Sequence, residues 1–498
     1  MELPLLSILW LAPLAGMLLL MMTREKDTGL IRTISAAIGL FILGLSLIIY
    51  WQYKPEISGY QLTEQLAFWP GLGISYHLGV DGINVLMVVL SGILAFTAIM
   101  VSFSIKERIK EYFILMMVAL SGVLGLFVSL DLFFFILFYE LASIPMYFLI
   151  GIWGSDKMGE GREVKRKDAA LKLIIYLQLG GGLILLGFLG LYFFSGLNTF
   201  DLVALSQAHI PLNFQLFLFP LLFIAFGIEA GLFPFHTWLP DGHSAAPTAL
   251  SMLLAGVLLK MGGYGIVRVV IGTMPEAAMV WMKFFCVIAV INVLYGAYCA
   301  IKQTDIKYLI AYSSISHMGI VFLGFGVFND LGMQGAIYQM FSHGIITALL
   351  FAMAGYIYEK THTKVITQMG GLAVKAPFLA VLFGIGGFAT LGLPGFSGFI
   401  AELMVFLGAV KVYPWLAITA ILGLVITATY ILRAIQKIFY GPLNPKYEDI
   451  KDLQGVEKVG PYTLAIVAWL AGFFPFLLTG VMNNTVTEFL LKFGGGRP

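Results

Sequence analysis

Long apolar runs alternate with short polar ones along almost the whole chain. Runs long enough to cross a bilayer as a helix, roughly 17–25 residues, recur fourteen times. The first six are Leu3–Met22, Leu30–Tyr50, Val80–Phe103, Glu111–Ser129, Leu132–Trp153 and Ala169–Phe194. Phe214–Trp238, Pro247–Ile271, Ala278–Ala300 and Asp305–Phe328 follow, then Leu331–Tyr358, Ala376–Val410, Tyr413–Phe439 and Pro461–Met482. The pattern predicts an all-α polytopic membrane protein of about fourteen transmembrane helices, with no strands.

Two of these runs carry helix breakers. Phe214–Trp238 ends in GIEAGLFPFHTW, with Glu229, Pro234 and His236 inside it. Ala376–Val410 contains GLPGFSGFIAEL, with Pro394, Gly392, Gly395, Gly398 and Glu402. A break frees backbone groups that hydrocarbon cannot satisfy, so it survives only where protein or a polar cavity covers it. One broken helix in each half of a chain points to an ion or substrate path.

Composition agrees with the pattern. Of the 498 residues 60% are hydrophobic and 11% charged, against about 25% charged in a soluble domain; the mean hydropathy is +0.94. A net charge of +2 argues against a nucleic-acid partner. Cys286 and Cys299 lie in one apolar run and fit buried thiols, not a redox motif or a disulfide framework. Met1–Met22 lacks a basic start and reads as a span, not a cleaved leader.

Loop charge sets an orientation. With the N-terminus outside, inner loops hold 21 Lys and Arg, Lys157 and Arg162 among them, and outer loops hold 6, including Arg268 and Arg497. That bias follows the positive-inside rule and puts both termini outside. The polar stretches Gln52–Gly79, Gly154–Asp168 and Tyr440–Gly460 are too short for a soluble catalytic domain, and no nucleotide-binding glycine motif occurs.

Ionisable residues inside the spans are then the candidate chemistry, because each costs at least about 2.5–3.5 kcal/mol at the bilayer centre. Glu140 sits mid-span, five residues before Pro145; Lys260 is too deep to snorkel comfortably; His317 and His343 are mid-span in consecutive helices. Burial disfavours the charged form of such groups, which suits reversible proton carriage. The bland alternatives are a hydrogen-bonded neutral acid, a structural ion pair and satisfied core histidines; paired haem ligands have no other support. Glu402 fits an exit group or a helix-end role, and Glu229 is another buried acid. Lys172 lies near the inner end of its span, where it can snorkel. His236, Asp241 and His243, with Pro240 and Pro247, read as a tight inner turn for hydrogen bonding or proton uptake, not a metal site.

The stretch from Phe233 to Arg268, FPFHTWLPDGHSAAPTALSMLLAGVLLKMGGYGIVR, resembles the signature of antiporter-like membrane subunits of respiratory complex I, M-type branch (mitochondrial subunit four). ELASIPMYFLIGIWG, DIKYLIAYSSISHMG and LGLPGFSGFIAE match as well, so the resemblance spans nearly the whole chain. It reaches Mrp-type sodium/proton antiporters and membrane arms of energy-converting hydrogenases too. It implies two inverted five-helix repeats, each with a discontinuous helix: 111–271 and 278–440, between N-terminal helices in 1–110 and a last loop and helix in 441–498. It also implies a polar axis in which Glu140, Lys172, Lys260, His317, His343 and Glu402 match the family's ion-translocation residues. At 229 the resemblance leads to an expected lysine, and glutamate stands there. Facing carboxylates at 140 and 229 repel unless a cation lies between them, a place expected for Lys172 or a bound ion.

The expected function is therefore proton or sodium translocation, as a subunit of a complex I-type respiratory oxidoreductase, driven by electron transfer elsewhere in the complex. The chain is expected to hold no cofactor or redox centre of its own. Its expected partners are other subunits of a multisubunit complex, lipid, and protons or sodium ions, in the cell (cytoplasmic) membrane. Two alternatives are a membrane subunit of a ferredoxin-linked hydrogenase- or sulfur reductase-type complex and a stand-alone Mrp-type antiporter. A structural anchor for a peripheral enzyme is a further reading, and a quinone-reducing site the weakest.

Overall fold

The computed structural model describes residues 3–156 and 164–493. Lys157, Arg162 and Arg497 of the loop-charge count lie outside the described residues. The chain opens with α1 (Leu5–Met22) and α2 (Thr28–Gln52), then β1 (Gln61–Trp69) and β2 (Ile74–Val80). Next come α3 (Asn84–Val101), α4 (Ile109–Val128), α5 (Leu132–Trp153), α6 (Arg166–Phe194), the single turn α7 (Leu202–Leu205) and α8 (Leu212–Ala230). After the first break are α9 (Trp238–Ala245), α10 (Thr248–Leu253) and α11 (Leu259–Gly265), then α12 (Pro275–Ile301), α13 (Ile306–Gly326) and α14 (Asp330–Thr361). The chain closes with α15 (Pro377–Thr390), α16 (Ser397–Val412), α17 (Pro414–Phe439), α18 (Val459–Phe473) and α19 (Phe476–Leu491).

Among the described residues, 12 helices are long and apolar enough to cross a membrane, and 13 spans result if α18 and α19, bent by 64°, count as one. α15 and α16 are each too short alone and meet at the second break. The burial pattern is that of a protein in lipid. The span Thr248–Ile271 is wholly buried, as is the central stretch of α14, whereas α1, α2, α6 and α17 turn apolar side chains such as Phe41, Leu186 and Val425 outward. Polar and ionisable groups collect in the interior instead, where another helix can satisfy them.

The absence of strands is corrected by the structure. Residues 61–80 form an antiparallel hairpin, with irregular register between Gln61 and Glu64 and between Ala67 and Trp69. Pro70–Leu72 and Gly73 (φ +64°) make the turn, and a side chain at Gly73 would strike the Asn198 carbonyl. His77 and the Leu130 amide pin the hairpin to the chain before α5: the His77 carbonyl accepts from Leu130, and its Nδ1 lies 2.6 Å from Asp201 Oδ2. The Glu64 carboxylate accepts from the Leu6 amide at 2.8 Å and from Ser7, so it caps the start of α1. The turn residues and aromatic strand positions were there to read.

On the opposite face, short connections tie the helix ends together. Ser155 donates to the Ala245 carbonyl, Ile306 to that of Lys364 and Asn444 to that of Gly370. A cleft of about 350 Å³ opens there, lined by residues including Lys106, Trp153, Arg166, Thr248, Lys307, Glu359 and Lys364.

Candidate functional site

Both predicted breaks are present, and side chains from neighbouring helices reach each of them. At the first, Asn292 of α12 accepts from the Phe233 amide (2.6 Å) and donates to the Gly231 (3.2 Å) and Ile315 (3.0 Å) carbonyls. Trp238 Nε1 donates to the Ile228 carbonyl at 2.9 Å. Gly231, at φ +78°, turns the chain out of α8, and the Phe233–Pro234 bond is cis. At the second, Gly392 and Gly395 take φ +66° and +100° around Pro394, and Ser342 of α14 donates to Ser397 at 2.7 Å. A side chain at Gly392 would fall 2.6 Å from Glu402 Oε2, so glycine lets the carboxylate reach the break.

A line of ionisable groups runs from the eighth predicted span to the second break. That span, Thr248–Ile271, is interrupted by π-helical stretches at Leu254–Leu258 and Ile266–Ile271. Lys260 follows the first of them; its ammonium donates to the Ala255 carbonyl and lies 2.7 Å from His343 Nδ1. The His343 ring stacks on His317 with centroids 5.5 Å apart and planes 25° apart. His317 Nε2 stands 3.4 Å from Glu402 Oε1 and 3.3 Å from the Thr390 carbonyl, while its Nδ1 is 2.8 Å from the Ser313 carbonyl. All four side chains are buried.

These contacts constrain protons. With Lys260 protonated, Nδ1 of His343 is the acceptor and the ring proton is on Nε2; with the amine neutral, Nδ1–H can donate to it instead. Both nitrogens of His317 face oxygen acceptors, an arrangement that fits the imidazolium beside a Glu402 carboxylate. A cavity of about 10 Å³, roughly the size of one water, lies among His317, Gln339, His343, Thr390 and Glu402.

The acids of the first half stand apart from this line. Glu140 Oε2 accepts from Gln178 Nε2 of α6 at 2.6 Å. Glu229, in the last turn of α8, is fully buried, with neither carboxylate oxygen hydrogen-bonded among the described residues. Lys172 does not lie between them. Its amine binds Asp241 Oδ2 at 2.7 Å, and Tyr308 donates to the other oxygen at 2.6 Å. Nearly two turns of α6 separate Lys172 from Gln178, and Asp241 in α9 is the acid its amine meets, so the lysine leans toward the helix end. His236 and His243 are buried, each ring nitrogen without a hydrogen-bond partner among the described residues. His243 stacks on Phe351 at 4.7 Å and His236 meets Tyr295 edge-on at 5.0 Å. Among the described residues neither makes a hydrogen bond or ion pair with Asp241.

One buried pair escaped the sequence reading. Arg268, counted there as an outer-loop charge, is buried against Asp81 before α3, with Nη2 2.6 Å from Oδ1. Asp81 also accepts from the Ile83 and Asn84 amides, and the Tyr60 and Tyr264 rings flank the guanidinium. The VDG preceding an apolar run was the available signal; Arg268 at a span end looked like ordinary loop charge. Asn292, alone in the apolar run VIAVINVLYG, was a second.

Residues 129–427 match the family described as NADH:quinone oxidoreductase/Mrp antiporter, TM. The chain is 38% identical over 437 residues to "NAD(P)H-quinone oxidoreductase chain 4-2" of Synechocystis, covering 86% of this chain and 77% of that one. It is 37% identical to "NADH-quinone oxidoreductase subunit M" of Rickettsia prowazekii over 99% of this chain and 100% of that one. Among solved structures, a chain of respiratory complex I from Thermus thermophilus with bound NADH superposes with a TM-score of 0.89 at 30% identity, covering 98% of this chain and 100% of that one. Chains of the Mrp complex from Dietzia (TM-score 0.86, 20% identity, 98% of each chain) and of an archaeal membrane-bound sulfane sulfur reductase (0.84, 22%, 98% and 100%) share the fold.

Proposed function

The chain belongs to the NADH:quinone oxidoreductase/Mrp antiporter transmembrane family, and from that premise we infer how its buried line of ionisable groups moves ions. It is an antiporter-like, M-type subunit of a complex I-type respiratory oxidoreductase, a multi-pass membrane protein that works among other subunits. Fourteen crossings, in two inverted five-helix units at 111–271 and 278–440, leave both termini on one side of the cell membrane, and the loop-charge bias favours the outside. The chain carries no redox centre, and electron transfer in neighbouring subunits drives it.

Ion movement runs along Lys260, His343, His317 and Glu402. The observation that carries this is the 2.7 Å contact between the Lys260 amine and His343 Nδ1, continued by the stacked imidazoles and the 3.4 Å His317–Glu402 pair. When Lys260 holds a proton it can pass it to Nδ1 of His343 without either residue leaving its helix. A charge arriving near one group disfavours the charged state of its neighbour, because the surroundings screen weakly. Release beside Glu402 meets the covered break at Gly392–Gly395, and uptake begins near Lys172, Asp241 and the 236–247 turn.

The test uses the assembled complex in vesicles. With Lys260→Met, electron transfer uncoupled from ion pumping is expected; pumping per electron unchanged from wild type overturns the reading. A stand-alone antiporter is the second reading, after the Mrp antiporter part of the family's description. Sodium/proton exchange by this single purified subunit would establish it.

A further inference from the structure

Glu140 and Glu229 form an acidic pair with no base beside it. They flank the same two glycines of α6, Glu140 beside Gly181 and the residue before Glu229 beside Gly180, and two carboxylates so placed repel. Cations that could offset them are engaged elsewhere: Lys172 with Asp241, and Lys260 with His343 and the Ala255 carbonyl. The independent sign of a ligand is Glu229 itself, which has no solvent exposure and two oxygens lacking any donor among the described residues. Two charged carboxylates at this depth, uncompensated, would be costly to bury.

The surroundings are oxygen-rich and built for close approach. Gly180 and Gly181 of α6 pass beside the pair. A side-chain carbon at Gly181 would sit 2.7 Å from Glu140 Oε1; one at Gly180 would sit 3.2 Å from the Ala225 carbonyl, 3.5 Å from the Tyr139 hydroxyl and 3.7 Å from Cβ of Ile228, next to Glu229. Tyr139, beside Gly180 and Gly181, donates its own hydrogen to the Leu177 carbonyl at 3.0 Å, so its oxygen can act only as an acceptor toward anything else. Gln178 gives its amide N–H to Glu140, so its carbonyl oxygen is a further neutral donor of electron density. Hard oxygen donors of this kind suit a small, hard cation. Glu140 is partly exposed and Gln178 exposed on the α5–α6 flank.

We propose that Glu140 and Glu229 together bind one monovalent cation, a sodium ion or a proton, where Tyr139 and Gln178 supply neutral oxygens. A cation held this way can load and leave, unlike an ammonium fixed to the chain. Its occupancy then sets the charge on the α5–α8 side of the subunit. This deepens the ion-translocating reading and rests on it for its role, though binding itself can be measured separately.

The experiment measures unfolding of the purified complex against sodium chloride at constant ionic strength, with choline replacing sodium, together with infrared difference spectra in the carboxyl region. Wild type, Glu229→Gln, Glu229→Lys and Glu140→Gln are compared. For sodium, the expected result is a saturable rise in the Tm of this subunit whose apparent affinity falls at least about tenfold in each variant. For a proton, the expected result is no sodium response but a protonated-carboxyl band that Glu229→Lys removes. A wild type with neither a sodium response nor such a band, or variants that match it in both, overturns the proposal. Should Glu229→Gln fail to assemble, Glu229→Lys, which carries its own positive charge, and Glu140→Gln still decide it. If pumping survives Lys260→Met while cation binding here behaves as expected, the translocation path fails and the binding site stands.

Discussion

The Lys260 amine and His343 Nδ1 are 2.7 Å apart although 83 positions separate them in the chain. The contact joins the span Thr248–Ile271 to α14 in the most buried part of the protein. Replacing His343 by Phe leaves the lysine with the Ala255 carbonyl alone. Ion pumping per electron is expected to fall at least about tenfold, and the subunit to lose about 1–3 kcal/mol of stability from a buried donor left unpaired. His343→Gln, which keeps an acceptor near the amine, should recover part of the stability and little of the pumping, because an amide does not relay a proton. Pumping and thermal unfolding of the two variants, measured side by side, check this.

Asn292 holds the first break through three hydrogen bonds. Asn292→Leu strands the Phe233 amide and removes the side-chain donations to the Gly231 and Ile315 carbonyls, so a loss of about 1–3 kcal/mol is expected. Asn292→Asp keeps the acceptor for Phe233 but turns a buried carboxylate oxygen on the Gly231 and Ile315 carbonyls, so it should be no milder than Leu. Chemical denaturation in detergent, or the yield of assembled complex, reads the order.

Breaking the buried Asp81–Arg268 pair from one side should be worse than removing it whole. Arg268→Met leaves Asp81 without its guanidinium and is expected to cost about 3–5 kcal/mol. The double change Asp81→Asn with Arg268→Met should cost clearly less, since Asn can still accept from the Ile83 and Asn84 amides. A double-mutant cycle on subunit stability gives the coupling.

Lys364 lies in the connection after α14 and lines the 350 Å³ cleft. Burial holds its ammonium down to about 8, against the pull of Asp305. The amine should therefore be acylated with a midpoint near pH 8, against about 10.5 for an unperturbed lysine. Between those two values the unfolded chain binds more protons than the folded one at this position, so its contribution to stability rises with pH across that window. Mass spectrometry of pulse-labelled complex measures the first effect and unfolding at several pH values the second.

Much of this was legible from residue order. The span pattern, both breaks, and the buried positions of Lys260, His317, His343 and Glu402 follow from periodicity and from proline and glycine placement. The hairpin at 61–80 was missed because a chain so rich in helices drew attention from a short stretch with a Pro-Gly turn. Lys172 was assigned to the wrong carboxylate for a different reason. Which of several acids a flexible lysine meets depends on where α9 turns back, and that is set by the tertiary path after Pro234. Arg268 looked like loop charge because nothing in its own segment shows that Asp81, 187 positions earlier, packs against it.

The two π-helical stretches around Lys260 have a consequence for how this lysine is aimed. Each wide turn holds an added residue relative to a regular α-helix, and one residue corresponds to about 100° of rotation. Deleting a single residue between Leu254 and Leu258 would keep every side chain in the line yet swing the amine toward a different neighbour. Direction here is stored as helical phase, so conduction can be switched off by a change that alters no chemistry.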